Sequence, residues 1–211
     1  MPGGAMRIYT IGHSTRSFDE LVEALRSFGV RVLVDIRTVP RSRHVPQFNV
    51  ENLRRTLPNR RIRYRHMKAL GGLRKPRADS TNTAWRNTGF RGFADYMETP
   101  QFADALAALR ALARDAGPIA IMCAEAVPWR CHRSLVADAL IARGDEVVDI
   151  MTPGKGNVHK LTPWARVEAK RVTYPGPPPP PAKGAGRRTR ASRGAGGAQG
   201  DLYNAKKADA T

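Results

Sequence analysis

Cysteine is scarce, with two in 211 residues. That excludes a scaffold built on disulfides and fits a reducing compartment, so a cytoplasmic protein is expected. Long apolar runs are absent too, which excludes a membrane-spanning helix. Met1 to Arg7 offers none of the apolar stretch that a signal peptide needs. Acidic residues number 18 against 36 basic ones, and the formal net charge is +18. Such a balance favours polyanions, so nucleic acid or a phosphorylated small molecule is the expected partner and a membrane is not. Hydrophobic residues still make up 41%, enough for one core of ordinary size.

The charge is unevenly spread. From Tyr174 the chain reads YPGPPPPPAKGAGRRTRASRGAGGAQG, almost without large apolar side chains. That composition cannot offset chain entropy, so residues 174–211 are expected to be a disordered, Pro-rich, basic tail behind an α/β domain at 1–173. The run Pro177 to Pro181 predicts a short polyproline II spacer. Arg54 to Arg77 holds ten Lys/Arg and no acid. It is either a surface for phosphate or nucleic acid, where cations release counterions, or a solvated face.

Strand and helix signals alternate along the chain. Met6–Ile11 reads as an apolar strand. Phe18, Leu21, Val22, Leu25 and Phe28 recur at helical spacing after a Ser17 cap. Val30–Ile36 is a β-branched strand of the kind covered on both faces. Val50–Leu57, Phe93–Met97, Gln101–Ala113 and Cys131–Arg143 read as helices. Ile62–His66, Pro118–Cys123 and Glu146–Ile150 read as strands. Gly71–Arg91 is expected to be a long loop. The fold class is therefore α/β, a single domain with a mostly parallel sheet flanked by helices and followed by the disordered tail.

In such sheets ligands bind beyond the carboxyl ends of the strands. The chain places His13 and Ser14 there, then Asp35, Arg37, Arg41 and Ser42, then Cys123 and Glu125, then Arg130, His132 and Arg133. A sheet needs none of these groups at its edge for stability. Cys123 precedes a loop that opens a helix, and a helix N-terminus with arginines nearby favours a thiolate. It is read as a nucleophile or part of an anion cradle, against the plainer reading of a small buried hydrophobe. Glu125 and Asp35 suit general acid–base work or ion pairs with arginine.

The strand–Cys–loop–Arg–helix order resembles cysteine phosphatases and rhodaneses, but six residues separate Cys123 from Arg130 where the phosphatase pattern has five. Glu125 would also repel a dianion, so that chemistry is not expected. Cys123, Cys131 and His132, with His13 or His66, could supply four metal ligands. Cys-x7-Cys-His is not a standard zinc spacing, and neighbours on a helix point in different directions, so no metal is expected. No cofactor is expected either. His44 and His159 read as surface residues. Trp85 and Trp129 read as loop-closing aromatics rather than base-stacking ones.

Taken together, TIGHSTRSFDELVEALRSFGVRVLVDIRTVPRSR, the PQFN at Pro46–Asn49, the LGG at Leu70–Gly72, FRGFADYM at Phe90–Met97 and MCAEAVPWRCHRSLVADAL at Met122–Leu140 closely resemble the domain-of-unknown-function family 488. The resemblance spans about residues 6–151 and implies a compact α/β domain without implying a reaction. Carried over by position, the family's polar signature falls on His13, Ser14, Asp35, Arg37, Pro40, Ser42, Cys123, Glu125, Cys131, His132 and Arg133.

The expectation that follows is an intracellular enzyme acting on a phosphorylated or nucleic-acid-derived substrate. Cys123 or Glu125 carries the chemistry, and His13 and Asp35 assist proton transfer. Ser14, Arg37, Arg41, Ser42, Arg130, His132 and Arg133 hold anionic groups. The alternative is a non-catalytic nucleic-acid-binding accessory protein.

Overall fold

Five strands run parallel because helices between successive strands carry the chain back to the same end of the sheet. The computed structural model describes residues 4–176; the expected polyproline spacer and basic tail lie outside the described residues. The strands are β1 (Arg7–Gly12), β2 (Val32–Asp35), β3 (Arg63–His66), β4 (Ile119–Cys123) and β5 (Glu146–Thr152). A sixth, β6 (Lys155–Val158), pairs antiparallel with β5, and the sheet order is β3-β2-β4-β1-β5-β6. The helices are α1 (Phe18–Ser27), α2 (Val50–Thr56), α3 (Thr88–Met97), α4 (Pro100–Ala116) and α5 (Arg133–Ile141). A two-stranded ribbon, β7 (Arg166–Glu168) with β8 (Arg171–Thr173), closes the domain.

Successive side chains on a strand point to opposite faces, so the buried strands β2 and β4 serve two cores. Val32, Val34, Ile119 and Ile121 pack with Phe93 of α3, Phe102 and Leu106 of α4, and Leu135 and Leu140 of α5. Leu33, Ala120 and Met122 face the other way, against Leu21, Val22 and Leu25 of α1 and Leu53 of α2. The result is three layers. The helix α1 forms where the spacing predicts it, and its start is a capping box. Ser17 Oγ accepts from Glu20 N at 3.2 Å, and Glu20 Oε2 accepts from Ser17 N at 2.6 Å. Gly29 follows α1 at φ +67°, a backbone conformation that favours glycine.

Several boundaries differ from the sequence reading. The helix α3 begins at Thr88, inside the expected loop, because Asn87 accepts hydrogen bonds from Gly89 N and Phe90 N. The rest of that loop is pinned by buried Asp95 of α3, which accepts from Arg77 N, Ser80 Oγ and Asn82 Nδ2. Gly92 lets the loop backbone at Arg74–Pro76 lie directly on α3. The strands β6, β7 and β8 were not anticipated: they are short and mostly exposed, and carry no apolar alternation. The domain also runs past the expected boundary at residue 173. Tyr174 is fully buried, its amide donates to Asn82 Oδ1, and its hydroxyl donates to Asp138 Oδ2.

His159 is not a surface residue. Its Nδ1 lies 2.8 Å from Asp149 Oδ2, its Nε2 3.5 Å from Asp138 Oδ1, and Thr10 Oγ1 donates to the other oxygen of Asp149. Burial opposes the charged ring, but the two carboxylates outweigh it and raise the His159 pKa to about 9. A group raised in the folded state stabilises below its unfolded pKa of about 6.5 and loses that effect as pH rises through the folded value. The urea midpoint of the wild type should therefore exceed that of His159→Gln at pH 6, and the gap should shrink steadily toward pH 9.5. A gap independent of pH would mean that the ring is neutral in the folded protein.

Candidate active site

The strands β1 and β4 are neighbours, but β1 leads away through α1 on one face and β4 leads away through α5 on the other. Chains that diverge to opposite faces leave a crevice between them at the strand ends. Here it is a cleft of about 750 Å³. It is lined by His13, Ser14, Arg37, Arg41, Ser42, His44, Gly72, Phe90, Cys123, Glu125, Arg130, Cys131 and His132, among others. Of the eleven residues expected to act, nine line this cleft; Asp35 and Arg133 do not.

Asp35 is fully buried below the cleft, and its oxygens are saturated. Arg37 Nε donates to both of them, Arg37 NH2 to Oδ2 at 2.5 Å, and Tyr64 OH to Oδ2 at 2.8 Å. Asp35 is thus the anchor of Arg37. That guanidinium goes on to donate to Phe48 O and sits 3.2 Å from His13 Nε2. His13 stacks on the Phe48 ring at 4.4 Å, and its Nδ1 faces Ser14 O at 3.0 Å. Nδ1 therefore carries the proton, and Nε2 accepts from Arg37. Burial, together with the Arg37 charge, lowers the His13 pKa, which keeps the ring neutral at pH 7. Tyr64 is pushed above its ordinary pKa by burial and by the Asp35 charge.

Arg133 is 1% exposed and spans the turn after β4, donating to Glu125 O and to Ala126 O. Those bonds tie the loop to α5. Gly12 is required opposite, because a β-carbon there would fall 1.9 Å from Glu125 O. Ser14, at φ +45°, donates its amide to Ala124 O, so the ends of β1 and β4 stay zipped at the cleft floor. Ser42 Oγ accepts from His44 N and Val45 N. Arg41 pairs with Glu51 at 2.5 Å on the surface, and Arg130 is exposed at the rim.

Within the cleft the two cysteines and His132 meet. Their donor atoms lie within 4.8 Å of one another, and His132 Nδ1 is 3.8 Å from Cys123 Sγ and 3.7 Å from Cys131 Sγ. This corrects the expectation that Cys131 and His132 diverge. Cys131 is not in the helix; it is extended, at φ −133° and ψ 142°, and α5 starts only at Arg133. The bend between them turns both side chains to one point. Both thiols are buried and free. A hydrogen bond from Cys131, reinforced by His132, draws the Cys123 pKa well down against the cost of burial, and the same bond with burial drives Cys131 up.

The sequence reading passed over Gly72. A β-carbon there would stand 2.5 Å from Cγ and Nδ1 of His132. Gly72 thus makes the space for the ring, while Phe93 meets it edge-on at 5.1 Å. Only the Leu70–Gly72 motif signalled it.

A three-layered α/β domain with a Cys–Cys–His cluster at the sheet's topological switch point is thereby defined. Residues 17–140 match the family model described as Domain of unknown function DUF488, and the chain belongs to that family. No curated protein and no solved structure matches it. Among the described residues no helix is long and apolar enough to cross a membrane.

Proposed function

We propose that the protein is an enzyme that acts on a phosphate-bearing small molecule or nucleic-acid-derived substrate in this cleft, with the chemistry at the Cys123–Cys131–His132 cluster. The observation that carries this reading is the meeting of three reactive side chains at strand ends where the sheet needs no polar group. Arg130, exposed at the cleft, supplies charge to meet an anion, and Arg41 and Ser42 line the same cleft. Glu125, half-buried in the cleft wall, is the carboxylate placed to move a proton. Asp35, Arg37 and His13 form the relay that positions this floor.

Binding tests the substrate class. Ligand-observed NMR on the full chain should show phosphorylated nucleosides or sugars binding at least tenfold tighter than their dephosphorylated forms, with the preference lost in Arg130→Gln. Equal binding of both forms would sink it. The basic stretch Arg54–Arg77 lies along α2 and the edge strand β3, with Arg63 and Arg65 exposed. Nucleic-acid affinity that falls steeply with salt and survives Cys123→Ser would instead favour a non-catalytic accessory role.

A further inference from the structure

We propose that Cys123, Cys131 and His132 hold one zinc ion, with the fourth coordination position open to the cleft. The donor set is two thiols and an imidazole, the soft and borderline ligands that zinc prefers. The spacing fits as well. Zinc–sulfur and zinc–nitrogen bonds of about 2.3 and 2.05 Å in a tetrahedron put sulfur and nitrogen about 3.6 Å apart. The two S···N separations here are 3.8 and 3.7 Å, both to the same nitrogen. They are long for hydrogen bonds to a ring nitrogen but close to the edges of a coordination tetrahedron. Nδ1 is the nitrogen turned toward the sulfurs, and Nε2 has no protein partner among the described residues. The ring's direction is therefore set by Gly72, Phe93 and the sulfurs, not by a competing hydrogen bond.

The protein around the donors is rigid. Cys123 ends a fully buried strand, Cys131 is itself extended and buried two residues before α5 begins, and Arg133 ties the intervening loop to the helix. Three protein ligands with one open position is the arrangement of catalytic rather than structural zinc. All three donors line the cleft, so the open position faces the space where a substrate would lie. The use of the ion rests on the proposed function: it would lower the pKa of a bound water or polarise a substrate oxygen. The binding of the ion stands on the three donors alone.

The test is metal content and cobalt substitution on the full chain. After chelation and dialysis, the protein should take up one zinc per chain. Cobalt should give an intense thiolate-to-metal absorption band and strong visible bands of tetrahedral cobalt. Cys131→Ser and His132→Ala should each weaken zinc binding at least tenfold, with zinc affinity read by competition against a chromophoric chelator. A cobalt spectrum without the thiolate band would overturn the site without recourse to any variant. So would one zinc per chain retained equally in both variants. One zinc with the thiolate–cobalt spectrum but no turnover on any substrate would leave the metal site standing and remove the proposed function.

Discussion

Replacing Asp35 with Asn should cost about 3–5 kcal/mol of folding stability, the usual range when one partner of a buried ion pair is removed. Asp35 is fully buried, Arg37 is 6% exposed, and their nearest contact is 2.5 Å. The Coulomb attraction between them is offset in the folded protein by the desolvation of both groups. The amide keeps one acceptor oxygen but turns an N–H donor toward the guanidinium, so the Arg37 charge stays buried without a counter-charge, beside the Phe48 carbonyl and the His13 ring. Tyr64 and Arg37, which both donate to Oδ2, must then compete for the single amide oxygen. Natural domains have about 5–15 kcal/mol in all, so this one change should remove a large share of it. With a urea slope of about 2 kcal/mol per molar, the midpoint should fall by roughly 1.5–2.5 M. The double variant Asp35→Asn with Arg37→Met should recover part of the loss, because the unpaired charge leaves with the guanidinium. A midpoint within 0.5 M (roughly 1 kcal/mol) of the wild type would mean that Asp35 is not the anchor of this floor.

Gly72→Ala should disable the site while leaving most of the fold. The added methyl would stand 2.5 Å from two ring atoms of His132 and 3.0 Å from its Cβ. Gly72 has no left-handed backbone to protect, so the whole effect is steric. The ring cannot retreat freely, because Phe93 closes its other side. Overpacking of this kind costs about 1–3 kcal/mol. The ring must turn, and Nδ1 then leaves the two sulfurs. Turnover should drop at least a hundredfold, and zinc affinity with it. Combining Gly72→Ala with His132→Ala removes the ring that the methyl meets, so stability should rise relative to Gly72→Ala alone while activity stays lost. If Gly72→Ala matches the wild type in stability and activity, the position of His132 in the cluster is wrong. Gly29→Ala is a useful contrast, since nothing lies within 4 Å of a β-carbon there. It should strain only its own positive-φ backbone.

Much of the architecture could be read from residue order. The capped helix after β1, the β-branched strand β2 and the apolar strand β4 announce themselves through periodicity, because each buries one stripe or both faces. The strand-end rule then places the cleft, since parallel strands gather their loops at one edge. What stayed hidden depends on partners distant in sequence. That Asp35 also takes the Tyr64 hydroxyl, from a strand 29 residues on, is invisible in the sequence. His159 looks exposed until β6 carries it between Asp138 and Asp149. That Arg133 braces the turn after β4 shows only once the turn is folded. The Cys–His convergence was missed for a local reason: one extended residue, Cys131, sits where a continuous helix was expected. The short polar strands β6 to β8 carry no pattern that distinguishes them from turns.

Turnover is the most direct test of the account. The full chain, with zinc supplied, should be screened against phosphorylated nucleosides, phosphorylated sugars and short oligonucleotides, with products resolved by mass spectrometry. At least one compound should be converted, and Cys123→Ala of unchanged melting temperature should convert it at least a hundredfold more slowly. Conversion unaffected by Cys123→Ala would contradict the assignment of chemistry to the cluster. No conversion of any phosphate-bearing compound would contradict the proposed function itself.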